Sequence, residues 1–126
     1  MTARHVASVQ AAFYVGTGVW PLLHRQSFER VTGRKTDFWL AQTVGVTVAA
    51  IGVGLAHAVS RQGVVPPELR TVAAASASGL ALVDLWFVAR GRISKIYLAD
   101  AVAELALVAG WLFARDGADS GWPDRA

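Results

Sequence analysis

Apolar runs close to the thickness of a bilayer alternate along this chain with short segments that hold nearly all of its charge. A hydrocarbon core of ~30 Å is crossed by ~20 residues of helix, so runs of that length bounded by charge or proline predict membrane spans. Four such runs are present: residues 6–24, 38–59, 67–89 (after Pro66) and 94–114. A soluble four-helix bundle would carry a face of Lys, Glu and Arg recurring about every 3.6 residues on each helix. Residues 38–59 offer only Gln42, Thr43, Thr47 and His57 as polar groups, too few for a face in water. The pattern predicts an all-α, up-down-up-down four-helix transmembrane bundle. It forms a single membrane domain over residues 1–126, with a polar C-terminal tail at 115–126. Arg4 ahead of the first run suggests a signal peptide instead, but Trp20, Pro21, Leu22 and Leu23 lack the small residues that cleavage requires.

Local signals refine the boundaries. Thr36 and Asp37 supply N-cap chemistry before the second span, and Pro67 with Glu68 suits the first turn of the third. Gly33 is placed to end a short interfacial helix over Ser27 to Thr32, with Phe28 and Val31 dipping into lipid while Glu29 and Arg30 face water. Trp20, Phe38, Trp39, Trp86, Phe87 and Tyr97 all fall near the side of connections one and three, as an aromatic belt would.

Composition agrees with a membrane chain: 54% of residues are hydrophobic and 17% charged, the charged ones mostly between or beyond the spans. The absence of cysteine excludes a disulfide framework, a thiolate metal site and a dithiol relay. The basic balance is only +3 and sits beside spans, so lipid headgroups, rather than nucleic acid, are the expected partner. Connections one and three hold seven Lys and Arg: Arg25, Arg30, Arg34, Lys35, Arg90, Arg92 and Lys95. The termini and connection two hold five: Arg4, Arg61, Arg70, Arg115 and Arg125. That excess places connections one and three in the cytoplasm and both termini outside.

Within the spans the polar residues form stripes. Gln10, Tyr14, Thr17, Pro21 and His24 share one face of the first helix, and Thr43, Thr47, Ala50, Gly54 and His57 one face of the second. Ser76, Ala77, Ala81 and Asp84 line the third, and Tyr97, Asp100, Glu104 and Trp111 the fourth. Small residues allow close helix approach and polar ones avoid lipid, so all four stripes are expected to face inward, whether for packing alone or for function.

Asp84, Asp100 and Glu104 stand apart, because a charged Asp at a helix centre costs roughly 2.5 to 3.5 kcal/mol on insertion scales. Helical rise puts Asp84 about 9 Å inside Arg90, Asp100 about 7 to 8 Å inside Lys95, and Glu104 about 13 to 14 Å inside. In an antiparallel hairpin the two aspartates then share one depth and Glu104 lies a turn deeper. His24, Arg25, Arg90, Arg92 and Lys95 occupy the mouth above them, and small and apolar residues close the far side. Carboxyls crowded in low dielectric cannot all be ionised without compensation, which makes them candidates for taking up a proton or cation. The bland alternative is that Asp84 and Asp100 anchor Arg90, Arg25 or Tyr97 in buried pairs that set helix register.

The histidines do not make a haem site. His24 and His57 end successive antiparallel spans at opposite surfaces, and His5 sits at a terminus expected to fray. His24 with Asp100 and Glu104 is too sparse a set to define a metal site, and no cofactor is expected. No nucleotide-binding loop, HExxH or GxSxG occurs, so nothing positive points to an enzyme.

The segment carrying Gly18, Trp20, Pro21, His24, Ser27, Phe28, Glu29, Val31, Thr32, Gly33, Lys35, Asp37, Trp39 and Leu40 resembles small uncharacterised bacterial membrane proteins with four spans. Tyr97, Leu98, Asp100, Ala101 and Glu104 strengthen the likeness. The resemblance implies a bacterial cytoplasmic-membrane location and brings no activity with it.

The expected function is a pocket for a proton, small cation or amine-bearing ligand, in a minimal transporter or sensor. Its polar contacts would be His24, Asp84, Asp100 and Glu104, its walls Trp20, Trp39 and Tyr97, and its rim Arg25, Arg90, Arg92 and Lys95. One alternative is an accessory subunit that meets a second copy or a larger membrane complex through Gly45, Ala49, Gly52 and Ala56. Another is a lipid-modifying enzyme with Asp84 or Asp100 as base.

Overall fold

The computed structural model describes residues 2–62 and 64–114, so the tail at 115–126 lies outside the described residues. The regular elements are all helices: α1 (Ala3–Leu23), α2 (Arg25–Thr32), α3 (Phe38–Gln62), α4 (Pro67–Ala89) and α5 (Tyr97–Phe113). Three are long and apolar enough to cross a membrane: Ala3–Leu23, Phe38–Arg61 and Pro67–Ala89.

Local chemistry explains where these helices depart from the expected bounds. α1 starts earlier than residue 6 because Thr2 and His5 form a capping box, in which Thr2 Oγ1 accepts the His5 N–H at 3.3 Å. His5 is therefore tied into the first turn by these bonds. Pro21 withholds an N–H from the last turn, and the chain breaks at His24 (φ −148°, ψ 85°). His24 then caps α2, its Nδ1 accepting the Ser27 N–H at 3.2 Å, so α2 begins at Arg25 rather than Ser27. Gly33, at φ 99°, ends α2 as expected, in a conformation that favours glycine.

The expected fourth span is shortened. Residues 94–99 form successive tight turns, with the N–H groups of Tyr97, Leu98 and Ala99 donating to Ser94, Lys95 and Ile96 carbonyls at 2.9 to 3.1 Å. α5 begins only at Tyr97 and has 17 residues, about 25 Å of helix at ~1.5 Å per residue.

α1 is the hub. One of its faces meets α3 antiparallel: a Cβ added to Gly18 would lie 2.6 Å from the Gly45 carbonyl oxygen, and one added to Gly52 would lie 3.0 Å from that of Ala11. The other face meets the antiparallel α4–α5 pair. Ala3, Val6, Ala7, Leu55, Ala73 and Trp111 pack near the N-terminal end of α1, while Tyr14, Ala77 and Leu107 pack nearer its middle. The outer surface stays apolar, with Val9, Val53, Leu82, Val102, Leu112 and Phe113 more than half exposed, as hydrocarbon contact requires.

Two expectations about orientation are corrected. Thr43, Thr47, Ala50 and His57 are exposed, and the inward face of α3 is Phe38, Gly45, Gly52, Leu55 and Ala58. The hydroxyls of Thr43 and Thr47 donate to the Trp39 and Thr43 carbonyls at 2.9 and 3.1 Å, so their own helix satisfies them and they need no protein neighbour. In α2 the ring of Phe28 packs edge-on between Trp20 and Phe38 instead of entering lipid. Glu29 turns from water toward the following loop, where its Oε2 accepts the Lys35 N–H at 2.9 Å.

Candidate functional site

α4 presents Ala73, Ala77, Ala81 and Asp84 to the interior, all buried, because their spacing of four, four and three keeps them on one helical face. α5 faces them with Ala101, Glu104, Leu107 and Trp111, also buried, and with half-buried Asp100. The alanines let the helices approach, and the acids come with them. Asp84 is 5% exposed and Glu104 2%.

The Asp100 carboxyl lies beside that of Asp84, and Glu104 is within electrostatic reach of both. Glu104 Oε1 accepts a hydrogen bond from Tyr14 Oη of α1 at 2.8 Å. Asp84 Oδ2 is buried with no hydrogen-bond partner. Among the described residues the ion pair that forms is Arg25 with Glu29 at 3.2 Å, and none includes these acids. The buried pairing of Asp84 or Asp100 with Arg25 or Arg90 is therefore not what the structure contains. Carboxylates without a basic partner in a medium of low dielectric are costly unless hydrogen bonds or another charge compensate them.

Below Glu104 the interior continues as a polar cross-link. Gln10 Nε2 donates to the Ala73 carbonyl at 3.0 Å, and Gln10 Oε1 accepts from Trp111 Nε1 at 2.6 Å, joining α1, α4 and α5. At the far end Arg70 donates to the carbonyls of Trp111 and Ala114. The far side is thus closed by a satisfied polar plug, where small and apolar residues are expected. Tyr14 and Gln10 are the site residues that sequence reasoning places on an inward stripe without assigning to the acids. Their four-residue spacing is the signal that they stack beside one another.

The remaining site residues make their observed contacts with groups other than the acids. His24 is exposed and engaged with Ser27, its Nδ1 being 2.6 Å from the hydroxyl. Trp20 Nε1 donates to the same hydroxyl at 2.9 Å. Trp39 is 63% exposed and faces outward. Tyr97 is half-buried beneath Lys35, whose Nζ is 5.2 Å from its ring centroid. On the rim, Arg25 stacks on Phe38 at 4.4 Å and Arg90 on Trp86 at 5.6 Å, while Arg92 and Lys95 are exposed. Among the described residues no three His, Asp or Glu side chains converge as metal ligands.

An apolar groove of about 340 Å³ opens between α1 and α5, lined by residues including Val6, Val9, Phe13, Ala103, Ala106 and Gly110. It is lined without a titratable group, so it is distinct from the acid cluster. The chain matches no protein-family model, no curated protein and no solved structure.

Proposed function

We propose that this chain is a four-span, up-down-up-down protein of the bacterial cytoplasmic membrane whose Asp84–Asp100 pair, with Glu104 beneath it, binds a proton or small monovalent cation in a minimal transporter or sensor. α5 completes the fourth crossing with its flanking residues. The basic end, bearing α2 and the α4–α5 turn, faces the cytoplasm, following the excess of Lys and Arg there.

The observation that carries this reading is the buried, unpartnered Oδ2 of Asp84 beside a second carboxyl. Two adjacent carboxyls without a basic neighbour are electrostatically incomplete, and a proton or a compact cation completes them. Ala77, Ala81 and Ala101, all essentially inaccessible, pack on the same faces, which favours an occupant smaller than an amine-bearing molecule. Tyr14 holds Glu104 in place as a second carboxyl step between the pair and the Gln10–Trp111 plug. The accessory-subunit reading draws less support, since Gly45, Ala49 and Gly52 are already occupied by α1 of the same chain.

Proton counting tests the proposal. In lightly buffered detergent, the wild type should bind about one more proton per chain than Asp84→Asn between alkaline and acid pH, as a coupled carboxyl pair requires. Glu104→Gln should abolish cation-induced proton release while retaining its helical circular dichroism. Equal proton uptake by the wild type and Asp84→Asn would rule the pair out as the site.

A further inference from the structure

The basic end of the molecule is assembled from two connections that are distant in sequence. A Cβ on Gly33, which ends α2, would lie 3.6 Å from Ser94 Cβ in the α4–α5 turn. Lys35 fastens the same junction: its Nζ donates to Thr32 Oγ1 and the Gly33 carbonyl, each at 3.2 Å, and lies 5.2 Å from the Tyr97 ring centroid. This brings Arg34, next to Gly33, to the same junction as Arg92 and Lys95, which flank Ser94. All three are exposed, and none forms an ion pair among the described residues. The face as a whole holds seven Lys and Arg against two acids, Glu29 and Asp37. Exposed Leu23, Val31, Trp39 and Ile96 lie on the elements that carry it.

We propose that Arg34, Arg92 and Lys95 form a binding site for the phosphodiester headgroup of an anionic phospholipid. Charge complementarity selects an anion, and the arginine fork matches a phosphate's paired oxygens. The apolar side chains on the same elements select a lipid over a soluble anion, since a headgroup docked there extends its acyl chains along an already apolar wall. Because Lys35 is committed to Thr32, Gly33 and Tyr97, it acts as the staple that holds the two connections together, and the three exposed cations supply the contact. The inference requires the helices to lie in a bilayer and does not depend on what the acid cluster binds.

The test is titration of the full chain in detergent with short-chain phosphatidylglycerol, phosphatidylcholine or inorganic phosphate, with bound lipid counted by native mass spectrometry. Phosphatidylglycerol should bind selectively. Loss of affinity should be about five-fold per charge removed and roughly a hundred-fold for Arg34→Gln, Arg92→Gln and Lys95→Gln together. The charge-preserving pair R34K and R92K should weaken binding, because the fork is lost, but by less than R34Q with R92Q, because the charge is kept, and R4Q with R61Q, at the opposite end, should leave it unchanged. Equal binding of phosphatidylcholine, equal loss from the opposite-end variant, or inorganic phosphate binding as tightly as the lipid would each overturn the assignment. All three exposed positions tolerate glutamine without disturbing a core contact, so an unchanged helical spectrum is expected and keeps the comparison valid.

Discussion

Two kinds of carboxylate in this molecule show how surroundings decide what an acid does. Glu29 accepts the Lys35 N–H at 2.9 Å and the Arg25 Nε at 3.2 Å, and these bonds, the backbone one first, hold its pKa below the ordinary glutamate range. With a folded value below the unfolded one, the contribution to stability is complete above roughly pH 4 to 5 and is lost as pH falls through the lower, folded value. Acidification through that window should reduce the hydrogen-exchange protection of the Lys35 amide, and Glu29→Gln should remove the pH dependence. Asp84 is the opposite case, an enclosed carboxyl whose Oδ2 lacks a hydrogen-bond partner and whose neighbour is a second acid. Its depth, and that of Asp100, is legible from helical rise on each side of a tight turn. The hydrogen bond from Tyr14 to Glu104 is not legible, because it joins positions ninety residues apart whose pairing depends on how α1 lies against α5.

Among the elements, the α1–α3 seam is the most demanding. A Cβ on Gly45 would overlap the Gly18 carbonyl oxygen, a backbone atom that cannot step aside. Gly45→Val should therefore destabilise the folded protein by roughly 1 to 3 kcal/mol, read as a lower midpoint in detergent unfolding. Gly79→Ala, which meets open space, should cost nothing and restore helix propensity worth about 0.5 to 1 kcal/mol. The bounds of α4 are readable from sequence because Pro67 is suited to a first helical turn and no second proline or charged break interrupts the apolar run from Thr71 to Val83. The start of α5 is not, because Ser94, Lys95 and Ile96 contain no glycine or proline to mark a break and yet are used in turns. The inward face of α3 is misread for a related reason: spacing reports which threonines share a face, and the bonds from Thr43 and Thr47 to their own helix decide that this face needs no protein cover.

For the whole molecule, polarity is graded along the α4–α5 axis. Exposed cations crown one end, Asp100 is half-buried beneath them, Asp84 and Glu104 are enclosed, and Gln10 with Trp111 closes the interior below. The basic crown and the buried acids are both evident from the sequence; the polar plug depends on three helices meeting and is evident only in the fold. Because Asp84, Asp100 and Glu104 form no ion pair among the described residues, charge compensation by a proton or a cation is the claim on which the functional reading rests. Infrared absorption reports it directly, since a protonated carboxyl has a carbonyl stretch that a carboxylate lacks. The wild type should show such a band that changes with pH or added monovalent cation and is absent from the Asp84→Asn, Asp100→Asn double variant. A band indifferent to both treatments, or identical in wild type and variant, would contradict the account.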